Sequence, residues 1–299
     1  MLTTTAAAAR TEQTVRAPEG AETQLGWYLY GITRRAPLEA LLAEVDAGVS
    51  AEAGGMRDHA APLELLECSG LAAVVRPVLL ADFSRPIMEE RLRNASDVEA
   101  IVRAHNRVIE AIHARQPILP ARFGMVYADP DDIVSAVRPV CDTLDARLHR
   151  LQDCDEWAVH VYADRALVRA TVAKVDDTIR FLRAQGATAR PGRAYFIERQ
   201  VRDRLEFATS QALLTIAQRT FDRLARCALG GKLSPAGSAG DAAGELEILR
   251  AAFLVARDRA ERFETEMRST ADAGDGLRCE SSGPWPPYSF AAWEGEESE

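Results

Sequence analysis

The chain has 299 residues, 47% of them hydrophobic, and a formal net charge of −9. That length suggests two domains of roughly 130 residues with ordinary cores, and the acidic balance disfavours a general nucleic-acid binder, which needs a basic face to neutralise phosphates. No run of about 18 apolar residues exists to span a membrane, and the five scattered cysteines, with no C-x-x-C pair, read as reduced, mostly buried thiols rather than disulfides or a zinc cluster.

Residues 1–25 offer only four consecutive alanines where a secretory signal needs an apolar stretch of about 7 to 15 residues, so they read as a disordered tail on a cytoplasmic protein. A first domain is expected over 26–153. Trp27–Thr33, WYLYGIT, is an aromatic and β-branched run that predicts a buried strand. Pro37–Val45 suggests a short helix, and Ala47–Pro62 a loop. Two apolar runs, Leu63–Cys68 and Leu71–Val75, flank Ser69-Gly70 as a hairpin does. At Ser96 the pattern S-D-V-E is a capping box. The helix it opens carries Val98, Ile101, Val102, His105, Val108, Ile109 and Ile112 on one stripe and must stop before Pro117. Ile118–Ala128 predicts one strand, Asp129 and Pro130 cap the next helix, and Pro139 should kink it.

A second domain is expected over 154–291. Trp157–Ala163 predicts a strand, Asp164–Gln185 is helical in character, and a long amphipathic helix runs from Ala194 to about Leu229. The composition of Gly230–Gly244 is that of a flexible loop. A strand at Leu246–Ala256, a charged helix at Arg257–Arg268 and a final strand ending at Trp285 follow. This order makes the chain α+β, with the second part a split βαβ, ferredoxin-like unit. Residues 292–299 form an acidic tail.

Chemical motifs are sparse. Gly231-Lys232 lacks the phosphate-loop spacing, and no G-x-S-x-G elbow occurs. His105 and His113 lie two helical turns apart, about 12 Å, too far to share a metal. His105 also falls in the apolar stripe, where a satisfied core histidine is expected. Asp129, Asp131 and Asp132 sit where a helix N-terminus favours negative charge. Arg122, beside Phe123 in L-P-A-R-F-G, stands between apolar neighbours; a buried or interface arginine there needs a carboxylate or carbonyl partner.

The last ordered stretch is GPWPPYSF, Gly283–Phe290. Pro284, Pro286 and Pro287 exclude helix and make the segment rigid. Trp285, Tyr288 and Phe290 then either lock the segment onto the domain as a clasp or face a partner.

With YLYGI at Tyr28–Ile32, ILPARFGMVY at Ile118–Tyr127, PGRAYF at Pro191–Phe196 and GPWPPYSF near the end, the chain resembles the gas vesicle protein F/L family over about Trp27–Phe290. The resemblance implies two domains, an irregular α+β N-terminal one and a ferredoxin-like C-terminal one. It also implies a non-enzymatic, cofactor-free role in gas vesicle assembly. The implied partner is the small hydrophobic wall protein, held either by an assembly factor or by a minor shell component, with other accessory proteins as further partners. Arg122, Phe123, Trp285, Pro286, Pro287, Tyr288 and Phe290 are the candidate partner-binding or clasp residues. An alternative is an enzyme with a site at the interdomain junction, around His105, Arg122 and Tyr127. An RNA-binding ferredoxin-like module is disfavoured by the acidic charge and by the absence of an RNP-like aromatic strand.

Overall fold

The computed structural model describes residues 24–35, 38–52, 61–84, 87–89, 93–235, 245–271 and 276–291, so the acidic tail and residues 1–23 of the expected N-terminal tail lie outside the described residues, whereas Leu25, expected in that tail, begins a strand. The chain divides into two compact units, one holding residues up to 111 together with 121–141, the other 112–120 together with 142 onward. Helix and sheet are mixed in both. Among the described residues no helix is long and apolar enough to cross a membrane.

The first unit is built on the aromatic strand that the sequence announces. Strand β1 (Leu25–Arg34) pairs antiparallel with β3 (Leu71–Leu79), and β3 pairs antiparallel with β2 (Glu64–Cys68) across the Ser69-Gly70 turn. Ser69 and Gly70 both take positive φ, which a two-residue hairpin loop requires. β3 runs past the predicted Val75 and through Pro77. Proline is tolerated there because β2 reaches only Val75, leaving that side of Pro77 without a ladder partner. Helix α1 spans Glu39–Glu52, so Ala47–Glu52, expected in a loop, is helical; 53–60 lies outside the described residues. Helix α2 spans Ala95–His113, and its predicted stripe buries His105, Val108 and Ile109.

Ile118–Ala128 is not one strand. It is β4 (Ile118–Pro120), a turn, and β5 (Val126–Tyr127), because Gly124 takes a φ of +84° and breaks the extension. β5 pairs with β1. Asp129 then caps helix α3 (Pro130–Val137) by accepting from the Asp131 amide at 2.9 Å. Pro139 converts the next turn to 3-10 before helix α4 (Cys141–Arg150).

The second unit carries a four-stranded antiparallel sheet. Strands β6 (Cys154–Asp164), β7 (Gly230–Leu233), β8 (Glu245–Ala256) and β9 (Leu277–Trp285) lie in the order β7-β8-β6-β9. That order, with helices between β6 and β7 and between β8 and β9, is the split βαβ arrangement. Gly230–Leu233 is therefore an edge strand and not the start of a loop; 236–244 lies outside the described residues.

Helices α5 (Arg165–Val175), α6 (Asp177–Ala187) and α7 (Pro191–Ala225) follow β6, and α8 (Ala260–Ala271) precedes β9. Asp164 and Asp176 cap α5 and α6 with their carboxylates. Helix α7, 35 residues and about 52 Å long at 1.5 Å per residue, serves two cores. Leu205 and Leu213 pack with Ala163, Val168, Val172 and Ile179, whereas Leu224 joins Trp157, Phe253, Phe263 and Met267 on the sheet.

Candidate functional site

The proline-rich segment folds back on its own unit. Pro286 and Pro287 are buried and Ala291 is 1% exposed, and after them Tyr288–Phe290 forms a 3-10 turn rather than an extended run. Prolines fix φ near −65°, which suits the start of such a turn as well as an extended path. Ser289 anchors it. Its amide and its hydroxyl donate to the two carboxylate oxygens of Glu156, at 2.7 and 2.6 Å. From the opposite edge of the sheet, Lys232 on β7 donates to the Ser289 carbonyl at 2.6 Å and places its ammonium 5.4 Å from the Phe290 ring centre. Gly230 leaves room for that ring: a Cβ there would come within 3.3 Å of it.

Sequence reasoning identified Trp285, Pro286, Pro287, Tyr288 and Phe290 but missed Glu156, Lys232 and Ser289, which hold them. The available signal was Glu156 itself, a charge inside an apolar strand. Glu156 is 7% exposed, and burial pushes its carboxyl up, against the lowering pull of the Ser289 hydrogen bonds and of Lys232. A carboxyl whose folded pKa is raised binds its proton more tightly when folded, so its stabilising contribution is present at low pH and is lost as pH rises past about 4.5. Glutamine keeps the oxygen acceptor without the charge. Glu156→Gln is therefore expected to match the parent near pH 4 and to be the more stable protein in urea unfolding once the pH has risen above the ordinary glutamate range. A constant difference across that range would refute the assignment.

Trp285 stands apart from its neighbours. It is 40% exposed, opposite Glu156 on the edge strand β9, with its indole N–H on the Ser282 hydroxyl at 3.2 Å. Earlier on the same strand, Cys279, Ser281 and Gly283 line a groove of 480 Å³ together with Trp157, Glu264, Met267 and Arg268. Burial first, and Glu280 second, push the Cys279 thiol up, so it is a poor nucleophile.

The residues proposed for a catalytic site make something different in the first unit. His105 accepts or donates at Nδ1 with the Tyr28 hydroxyl at 2.9 Å, stacks on Tyr30 at 5.5 Å, and meets Phe123 edge-on at 5.6 Å. The Tyr28 hydroxyl also receives the Gly124 amide at 3.2 Å. Burial lowers the His105 pKa to about 4, the backbone hydrogen bond at Ala121 opposing, so the imidazole is neutral near pH 7. It is a satisfied core histidine, as its stripe position suggests. Arg122 is exposed rather than buried, and Tyr127 pairs with Trp27 in the sheet. Phe123 is half-buried against His105, so it props the core there. Among the described residues no group of three histidine, cysteine or acidic side chains is placed to hold a metal ion.

The family model described as "Gas vesicle synthesis protein GvpL/GvpF" matches residues 26–292. Gas vesicle protein L of Streptomyces sp. (strain CB03234) is 28% identical over 265 residues, covering 88% of this chain and 92% of that protein. Gas vesicle protein F of the same organism is 26% identical, covering 88% and 98%. Among solved structures, the gas vesicle protein GvpF of Anabaena sp. PCC7120 superposes with a TM-score of 0.66 at 19% identity, over 90% of this chain and 99% of that one. GvpF of Microcystis aeruginosa gives 0.58 at 18%, with the same coverage. At these identities the two structures speak for the fold.

Proposed function

The chain belongs to the GvpL/GvpF family of gas vesicle proteins, and we propose that within gas vesicle formation it holds the small hydrophobic wall protein, as an assembly factor or a minor shell component. The observation that carries this reading is the clasp. An exposed indole on a segment pinned by Pro286, Pro287 and the Ser289–Glu156 hydrogen bonds offers aromatic area that loses little entropy on binding. A single pre-ordered aromatic of this kind engages an apolar partner without making the free protein prone to aggregate. The role is binding rather than catalysis, in keeping with a closed-in neutral His105 and a raised Cys279 thiol. On this reading the protein acts in the cytoplasm, at the gas vesicle.

Co-expression with the wall protein, in cells lacking other vesicle components, tests this. A soluble complex is expected to survive affinity pull-down. Trp285→Ala is expected to reduce the retained wall protein at least about tenfold, the size of an interface hot spot, while melting within a degree or two of the parent because the side chain is 40% exposed. Undiminished retention by the variant would remove Trp285 from the interface. A parent that retains nothing would overturn direct wall-protein binding.

A further inference from the structure

Strand β9 lies at an edge of its sheet: among the described residues it pairs with β6 alone. The register shows which of its backbone groups face the open side. One step beyond the Ala163–Leu277 pair, the Asp164 amide donates to the Gly276 carbonyl at 2.9 Å, so that step is a hydrogen-bonded one. Hydrogen-bonded and non-hydrogen-bonded steps alternate along an antiparallel ladder. Arg278, Glu280 and Ser282, opposite Tyr162, His160 and Ala158, therefore turn their amides and carbonyls to β6, and Leu277, Cys279 and Ser281 turn theirs outward. Edges are commonly blunted by proline or a bulge, but here Pro284 and the register irregularity opposite Glu156 and Ala158 come only after Ser282. Glu280, Ser281 and Ser282 are exposed. Another extended strand is what completes such a row of alternating donors and acceptors.

Charge decides which strand. Arg278 and Glu280 stand two apart and so share one face of β9, ion-paired with each other, and Arg278 also pairs with Glu245 at 2.7 Å. That pattern is complementary to itself. When β9 pairs antiparallel with its own copy about a two-fold axis at Cys279, Arg278 lies opposite the partner's Glu280, and Glu280 opposite the partner's Arg278. The same register sets Cys279 against the partner's Cys279 and Leu277 against the partner's Ser281, all of them residues whose backbone groups face outward, so each of these steps exchanges hydrogen bonds. Moving the axis by one residue is penalised in either direction. An axis at Arg278 opposes two guanidinium groups, one at Glu280 opposes two carboxylates, and like charges directly opposite are destabilising. Axes between residues would oppose outward backbone groups to inward ones. We propose that the open edge of β9 pairs with β9 of a second copy of this chain, antiparallel about Cys279, joining two four-stranded sheets into one. Trp285 lies six positions from the axis, about 20 Å at 3.3 Å per residue, outside the paired stretch. The inference therefore stands independently of wall-protein binding.

Sedimentation equilibrium of the full-length protein alone is expected to show a concentration-dependent monomer–dimer equilibrium. Ser281→Pro removes an outward amide and none of the hydrogen bonds to β6, and the two-fold doubles the change. It is expected to weaken the dimer at least about tenfold and to keep the parent's circular dichroism melt. Charge reversal tests the register without touching the backbone. Glu280→Arg and Arg278→Glu each oppose like charges in their own homodimer, and each is expected to weaken it about tenfold. An equimolar mixture of the two chains is expected to associate as the parent does, since every reversed charge then meets its opposite. Should Ser281→Pro melt early, the reversals and their mixture carry the test. A dimer that tolerates Ser281→Pro and both reversals, or a mixture that associates no better than its parts, overturns the proposal. A parent that stays monomeric overturns it too, and if its Ser281 amide then gains protection from hydrogen exchange on addition of the wall protein, the edge takes a foreign strand instead.

Discussion

Asp46→Ala is expected to destabilise the first unit by about 3 kcal/mol, within the range for breaking a buried ion pair from one side. Arg76 is 0% exposed and heads the fully buried side chains by volume. It sits in the middle of β3, opposite Tyr28, and its guanidinium is paired with Asp46 of α1, whose side chain is 19% exposed. Removing the carboxylate leaves a permanent positive charge in a sheet core, since arginine does not escape by losing its proton. The pair also sets its surroundings. Tyr30 titrates only at about 12, raised first by burial, with Arg76 pulling it down and Asp46 pushing it up. Replacing both partners, Asp46→Leu with Arg76→Met, removes the charges together and should recover most of the loss. Urea unfolding combined with hydrogen exchange at the β1 and β3 amides localises the effect to this unit. An Asp46→Ala protein within about 0.5 kcal/mol of the parent, the usual bound for a surface substitution, would show that the ion pair contributes nothing.

Much of the scaffold was legible because it obeys one period at a time. The α2 stripe, the β1 aromatic run and the α7 pattern each follow a single repeat, and the elements lie where the repeat puts them. The failures occur where packing overrides composition. Gly230-Gly231 reads as a linker, yet it is an edge strand whose glycines make room for aromatic rings. A Cβ on Gly231 would lie 2.9 Å from Phe221 and 3.2 Å from Phe253, and one on Gly230 would press on Phe290. Nothing local in the sequence states that requirement. Ile118–Ala128 looks like one strand because Gly124 is a single residue, but its positive φ is enough to turn the chain. The clasp was legible as a rigid segment, since proline acts locally. Its anchor was not, because Glu156 and Ser289 are separated by 133 positions and meet only through the pairing of β6 with β9. Sequence alone thus marked the aromatic side of the candidate site and left its polar fastening to the fold.

That fastening makes Gly283→Ala the other substitution with a large expected effect, a loss of about 3 kcal/mol in the second unit, combining backbone strain with a steric conflict. Gly283 has a φ of +141°, which L side chains rarely adopt. An added Cβ would stand 2.9 Å from the Glu156 carbonyl oxygen and 3.3 Å from the Trp157 ring. Neither neighbour yields easily: Glu156 belongs to β6, which is paired on both sides, and Trp157 is packed in the aromatic core. The end of β9 must therefore move, and with it Trp285, which pairs with Glu156 two residues later, and the Ser289 turn that the same glutamate holds. Trp285→Ala removes an exposed side chain and leaves this frame intact, so the two variants separate contact from framework. Gly283→Ala is expected to lower the melting temperature by several degrees, to speed hydrogen exchange at the Ser289 amide, and to reduce wall-protein retention as well. If Gly283→Ala melts with the parent and keeps the Ser289 amide protected, the clasp is not held through Glu156, and the rigidity on which the exposed indole depends must come from the prolines alone.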